Sequence, residues 1–400
     1  MDAELVERLN QPLNRPVPWM PWLAFQTVGT IAAAREQTRA GAARLVEHLH
    51  PRMPLHRYRG SERCQMRWLL LLGFAFLCQA AGAAEEMTPP AETGPVPWRA
   101  DHHMHLASAD ICERVGDCLP DRDPPTVLAA DAVRALDAGN VNKGVIFSSA
   151  YLYGLPSLGL DPEAITRLVR RENEFTAAEV ARYPDRLIGF LSVDPQQDSA
   201  LDELRHWQGS RELVGLKLHL TVSALHLQNR AERGKLAAVV REAANLDLPI
   251  VIHIGGGSFG AADAGIFVRE ILPEAGRSWV QVAHAGGGFP LTDNNHAEVL
   301  AVFADHITRD DPLTRRVLFD LSYVPAPEQG TDTVAALRRE MRRIGLERFL
   351  FGSDYNVLTP AGQIAALARL DLADEEESIL RTNCAPWVCP DGGESSEPEP

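Results

Sequence analysis

Val214-Gly215-Leu216-Lys217-Leu218-His219-Leu220 is the stretch on which the fold turns. Successive side chains of an extended strand point to opposite faces. Its leucines therefore share one face, and Lys217 and His219 share the other. Leucines packed outward on helices, with a lysine and a histidine turned inward, describe the wall of a barrel and not the face of an exposed sheet.

Seven further runs read as strands, at 100–106, 142–149, 186–194, 249–255, 279–286, 316–322 and 348–354. Helix-like segments lie between them, such as Pro162 to Arg182 and Arg233 to Asn245. Another is Asp332 to Ile344, where Val334, Leu337, Met341 and Ile344 recur at helical spacing. Successive strands start roughly 27–44 residues apart, which fits βα units with parallel strands. Eight such units are the count of a TIM (β/α)8 barrel, an α/β fold, here a single catalytic domain over residues 100–389. A doubly wound open sheet has no need of eight equivalent strands. No G-x-G-x-x-G follows the first strand, so the dinucleotide fingerprint is missing as well.

The chain has 400 residues, 45% of them hydrophobic, which places most of it in the globular class. A formal charge of −15 argues against a nucleic-acid partner, because phosphate binding needs a basic face. Lys143, Lys217 and Lys235 are the only lysines among 39 basic side chains, so a lysine inside a strand invites a reason why arginine would not serve.

Met66-Arg67 precedes the apolar run Trp68 to Cys78, and small residues follow at Ala80-Ala81-Gly82-Ala83. A positive start, an apolar core and an A-x-A site are the parts of a secretory signal peptide, here 66–83. The run falls short of the about 20 residues of a transmembrane helix. Residues 1–65 show no strand–helix alternation, and translation is expected to begin at Met66, with 1–65 a non-native or disordered extension. A genuine extension followed by a membrane anchor is the alternative. Residues 84–99 form a Pro-rich lead-in, and 390–400 a disordered acidic tail. The expected location is periplasmic or secreted, with no stable membrane insertion after signal cleavage. Oligomeric state leaves no signal.

Cleavage leaves Cys112, Cys118, Cys384 and Cys389, an even number that fits two disulfides in an oxidising compartment. Pairing Cys112 with Cys118 and Cys384 with Cys389 is the simplest of three connectivities. Zinc binding by these four fits less well, since neither pair is spaced C-x2-C.

Ionisable residues stand where the apolar runs finish. In Asp101-His102-His103-Met104-His105 the H-x-H puts His103 and His105 on one strand face, roughly 6–7 Å apart at the backbone, close enough to reach one metal ion. Asp101 is expected on that face too. Strand five ends in His253-Ile254-Gly255-Gly256-Gly257, strand six in His284-Ala285-Gly286-Gly287-Gly288, and strand eight in Gly352-Ser353-Asp354. Singly, His253 or His284 reads as a satisfied core histidine and Asp354 as a helix cap. Together with Lys217 they fall at the strand ends where TIM-barrel active sites are built. A lysine among buried leucines must find a partner or lose its charge.

These motifs, with Gly215-Leu216-Lys217-Leu218-His219 and Tyr183-Pro184-Asp185-Arg186-Leu187-Ile188-Gly189-Phe190, resemble the amidohydrolase superfamily, specifically its amidohydrolase-2 branch, over roughly Ala100 to Trp387. The resemblance implies that His103 and His105 bind a divalent metal, expected as one Zn²⁺, with Asp354 and, in single-metal members, His253. It also implies that His284 transfers a proton or polarises a carbonyl. In two-metal members a carboxylated lysine on strand four bridges the ions and the histidines of strands five and six hold the second. Lys217, His253 and His284 stand on the matching strands. The implied reaction is hydrolysis, with Asp354 taking a proton from metal-activated water and His219 touching substrate, so that an ester, lactone or amide of a small molecule is cleaved. A metal-dependent non-oxidative decarboxylase is the alternative, and a non-catalytic binding protein on the same barrel the third reading. Substrate choice lies in loops 107–130, 151–161, 221–232 and 324–331, which carry no decodable pattern.

Overall fold

Eight strands run in chain order around one parallel sheet: β1 (Trp98–Leu106), β2 (Val141–Ser148), β3 (Leu187–Ser192), β4 (Leu213–His219), β5 (Ile250–His253), β6 (Val280–Val282), β7 (Val317–Asp320) and β8 (Phe349–Leu350). The computed structural model describes residues 96–390 apart from 117, 119–122, 257–258, 289–294 and 328. The expected extension 1–65, the signal peptide 66–83, the lead-in up to residue 95 and the tail from 391 lie outside the described residues. β1 begins at Trp98, two residues inside the stretch expected as lead-in.

Each strand pairs in parallel with the next, from β1 with β2 to β7 with β8. The circle is closed by backbone bonds between β1 and the segment after β8. His102 N donates to Phe351 O at 2.8 Å, Asp354 N to His103 O at 2.8 Å, and Met104 bridges Tyr355. Eight parallel strands with helices between them make the TIM barrel that the sequence pattern implies.

Two apolar layers follow from strand alternation. Met104, Leu106, Ile146, Leu216, Leu218, Leu220, Ile252 and Phe319 pack outward against the helices. Ala100, Val145, Phe147, Phe190, Val251, Ala283, Leu318 and Leu350 fill the interior. The helix Thr331–Ile344 buries Val334, Leu337, Met341 and Ile344, the four positions expected from its spacing. The helix Pro162–Val180 starts where Asp161 accepts a hydrogen bond from Ala164 N at 2.7 Å, with proline at its first position, where no N–H is needed. Among the described residues no helix is long and apolar enough to cross a membrane.

The C-terminal segment seals the barrel floor. Ala385 and Val388 join the interior cluster, Lys143 Nζ donates to Val388 O at 3.4 Å, and Ala385 N donates to His102 Nε2 at 3.1 Å. The Cys384–Cys389 disulfide closes this loop, with Cα atoms 6.0 Å apart. Cys112 pairs with Cys118 on the opposite side of the barrel, with Cα atoms 5.4 Å apart. Both pairings are the local ones.

The start of the loop after β1 is held by a buried acid. Glu172, 1% exposed, accepts from Ser108 N at 3.0 Å and from Ser108 Oγ at 2.5 Å. Burial pushes its carboxyl up from the ordinary 4.5 to about 7, against the opposing pull of the Ser108 bonds. A carboxyl raised in the folded state contributes stability that is complete below pH 4.5 and is lost as pH rises through 7. Glu172→Gln, which cannot ionise, should therefore gain melting temperature relative to the parent as pH goes from 5 to 8. A thermal-melt difference that stays flat over that range would refute the assignment.

Candidate metal centre at the barrel mouth

A bulge in β1 sets the geometry. Asp101 pairs with Gly144 and Met104 with Ile146, so three steps on β1 oppose two on β2. The extra residue reverses the alternation: Ala100 lies in the interior layer, whereas Met104 and Leu106 lie in the outer one. Simple alternation from Asp101 to His103 therefore fails. Asp101 instead clamps the bulge, its Oδ1 accepting from His103 N at 3.1 Å and Ser353 N at 3.0 Å. Burial raises its carboxyl to about 7. The H-x-H pair itself lies beyond the bulge and keeps its common face.

His103 and His105 meet there, with Nε2 atoms 3.2 Å apart. Asp354 lies just past β8 in the left-handed region, φ 63°, which turns its carboxylate back toward β1. Its Oδ1 stands 3.3 Å from His103 Nε2 and 3.4 Å from His105 Nε2. His284 and Ala285 after β6 are also left-handed, at φ 54° and 50°. That bend brings the His284 ring to 4.7 Å from the His103 ring. Ligand atoms of His103, His284 and Asp354 all lie within 4.8 Å of one another, and all three residues are buried.

The remaining expected residues surround this triad. Lys217, fully buried on β4, places Nζ 3.3 Å from His103 Nε2 and 4.6 Å from the Phe147 ring centroid. His219 stacks on His253 at 3.9 Å between centroids, and Tyr151 stacks on His219 at 5.0 Å. His253 stands outside the triad, its ring 4.7 Å from that of His284, and its buried Nε2 has no hydrogen-bond partner among the described residues. All seven expected site residues thus share the mouth. Asp320, Ser322, Gln281 and Tyr151 join them without having been singled out in the sequence. Asp320 carried a usable signal, an acid ending the apolar strand Val317-Leu318-Phe319.

Burial dominates the electrostatics. It pushes the His103 imidazole down to about 3, and those of His105, His219 and His253 also fall, so these rings are neutral near pH 7. Burial pushes Asp354 up, but hydrogen bonding to His105 and the neighbouring histidine rings outweigh it, and the carboxyl ends below its ordinary range. Burial lowers Lys217 to about 8, against the pull of Asp320 and Asp354.

The hydrogen bonds fix which ring nitrogen carries the proton. His103 Nδ1 faces Asp320 Oδ2 at 3.1 Å, and His284 Nδ1 faces Ser322 O at 2.9 Å. Both oxygens only accept, so both Nδ1 atoms donate, and the neutral His103 ring keeps its lone pair on Nε2. A lone-pair nitrogen and a carboxylate oxygen drawn together repel unless a positive charge sits beside them, and the Lys217 Nζ, 3.3 Å from His103 Nε2, stands where one is needed. Imidazole with carboxylate is a donor set for divalent transition metals. The triad fits such an ion.

The Amidohydrolase family model (Amidohydro_2) matches residues 100–385. No curated protein sequence matches the chain. Solved structures do. The 5-carboxyvanillate decarboxylase LigW of Sphingomonas paucimobilis is 14% identical with a TM-score of 0.53, over 73% of this chain and 98% of its own. A protein described as amidohydrolase II is 18% identical with a TM-score of 0.53, over 72% of this chain and 99% of its own. A dihydroxybenzoic acid decarboxylase of Polaromonas sp. JS666, solved with bound manganese and the inhibitor 2-nitroresorcinol, is 16% identical with a TM-score of 0.50, over 73% and 96%. At these identities the likeness speaks for the fold.

Cation binding should be visible as stability. A ligand held only by the folded state stabilises it by about 2.7 kcal/mol at one hundred times its dissociation constant. Adding Zn²⁺ or Mn²⁺ to chelator-treated protein should raise the melting temperature by several degrees, and His103→Ala should remove that gain. An equal gain in the variant would place the cation elsewhere.

Proposed function

The chain belongs to the amidohydrolase family, and on that premise we propose that it is an exported, divalent-cation-dependent hydrolase that cleaves an ester, lactone or amide bond of a small molecule. One observation carries the reading: the Asp354 carboxylate, 5% exposed and held ionised, touches both imidazoles of the H-x-H pair. A base is thereby fixed beside the donors that would hold the cation. When bound, a divalent cation lowers the pKa of its water from about 15.7 to about 7 and polarises a carbonyl oxygen.

The chain's own residues do the rest. His103, His284 and Asp354 would hold the ion, with His105 completing the set. His253, which the family resemblance implies as a ligand, stands one ring further out, in place for a second ion. The Asp354 carboxylate accepts a proton from the attacking water and returns it to the leaving group. Val222 N donates to His219 Nδ1 at 3.3 Å, so the neutral His219 ring carries its proton on Nε2 and offers substrate a donor. Lys217 cannot keep an ammonium 3.3 Å from His103 Nε2 once a cation takes that nitrogen. Its lowered affinity for a proton makes the neutral or carboxylated form accessible. Zinc suits the nitrogen-rich donors, and manganese, which the Polaromonas enzyme carries, is the alternative.

A second reading, non-oxidative decarboxylation of a small carboxylic acid, is favoured by the fold shared with the Sphingomonas and Polaromonas decarboxylases. There, the cation and the His219 donor would hold the carboxylate, and no water need attack.

Asp354→Asn should lower turnover of a lactone, ester or amide by at least 1,000-fold, on the order of removing a positioned acid–base group together with a ligand. Carbon dioxide release from aromatic acids, with no hydrolysis, would replace the first reading with the second. Parent-like activity in that variant would end both. Export rests on the 66–83 segment and the two disulfides. The exported protein should begin near Ala84 and weigh four hydrogen atoms less than its reduced form. An intact Met1 would defeat this.

A further inference from the structure

Asp320 ends β7 with a fully buried carboxylate whose two oxygens face different parts of the centre. Oδ2 takes His103 Nδ1 at 3.1 Å and Gln281 Nε2 at 2.6 Å. Oδ1 takes the backbone N–H of His284 at 3.0 Å and of Ser322 at 3.1 Å, together with the Ser322 hydroxyl. Ser322 Oγ in turn stands 3.0 Å from His103 Nδ1 and 2.9 Å from His284 Nδ1. One carboxylate thus reaches the ring of a β1 histidine and the main chain of the histidine after β6.

Both attachments have work to do. A neutral imidazole flips its tautomer or rotates unless its outer nitrogen is held by an acceptor. A non-glycine residue in the left-handed region is strained and persists only where neighbours over-determine it. The N–H of His284, at φ 54°, is pinned by Asp320 while its carbonyl accepts from His296 Nδ1 at 3.1 Å. We propose that Asp320 is the positioning residue of the cation centre, fixing the His103 ring and the His284 backbone at once so that their Nε2 atoms converge with Asp354. Ser322 relays that hold between the two Nδ1 atoms. The inference rests on the cation-dependent reading of the same site.

Asp320→Asn tests it with little change of shape. Whichever way the amide lies, its NH2 turns on donors: either on His103 Nδ1–H and Gln281, or on the His284 and Ser322 amides. In full-length metal-free protein titrated with Zn²⁺ against a chromophoric chelator, Asp320→Asn should bind about 10–100-fold more weakly, the range for loss of a carboxylate behind a metal-ligating histidine. The visible spectrum of the Co²⁺-loaded variant should also shift, which a purely structural carboxylate would not cause. Parent-like affinity with a parent-like Co²⁺ spectrum overturns the proposal. Should Asp320→Asn not fold, Ser322→Ala decides, because it keeps the carboxylate. A several-fold weaker Zn²⁺ affinity at an unchanged unfolding midpoint supports the relay, and parent-like affinity overturns it. A parent protein that takes up no Zn²⁺, Mn²⁺ or Co²⁺ fails the cation reading itself, and this inference with it. Uptake by the parent with no loss in either variant fails this inference alone.

Discussion

The backbone bond from Asp354 N–H to the His103 carbonyl, 2.8 Å long, is the interaction on which the molecule turns. β8 is only two residues long, so the barrel is closed less by a strand than by the segment that follows it. Every closing contact falls on or beside a residue of the candidate centre: His102 with Phe351, His103 with Asp354, Met104 and His105 with Tyr355. Closure and assembly of the centre are therefore one event. The β1 bulge belongs to the same constraint, since it brings His103 and His105 to face Asp354 while Met104 and Leu106 stay in the outer core.

Charge balance then limits what the mouth can hold. Asp320 and Asp354 are both ionised: burial pushes the Asp320 carboxyl up, but His103, His284 and Ser322 pull it well below its ordinary range. The imidazoles of His103, His105, His219 and His253 are neutral, and Lys217 is the one cationic side chain in contact with them among the described residues. A divalent cation offsets two carboxylates when the lysine is uncharged, and leaves an excess positive charge in a dry site when it is not. On the proposed cation-dependent reading, the ion and the Lys217 charge would compete, which would give a physical reason for lysine where this chain otherwise uses arginine. A guanidinium could not give up its proton.

Much of this was legible in the sequence because two signals are strong. Strands with leucines on one face and ionisable groups on the other announce a barrel wall, and the eight runs fell where the strands lie. The histidines and Asp354 were legible because they end apolar runs. Asp101 was misread, since alternation cannot foresee a single inserted residue that changes the face. Asp320 obeys the same strand-end rule, an acid closing the apolar run Val317-Leu318-Phe319. Ser322, Gln281 and Tyr151 carried no signal at all. Their roles come from three-dimensional proximity across β2, β6 and β7, which no local pattern encodes. The floor seal was likewise invisible, although its cysteine pair was not.

The two ends of the barrel are built on opposite principles, and the contrast bears on what enters. The floor is closed by Ala385, Val388 and a disulfide-bounded loop packed on apolar rings. The mouth stacks Tyr151, His219 and His253 in a row that leads to the His103–His284 pair. Within that row the Val222 N–H has already claimed the acceptor nitrogen of His219, so only an N–H remains to meet a ligand. A donor on His219 and, on the proposed reading, a cation beyond it would both favour oxygen lone pairs. Carbonyl and carboxylate groups satisfy that pairing equally. Under the two proposed reactions recognition would therefore be the same, and they would differ in whether Asp354 has a water to deprotonate.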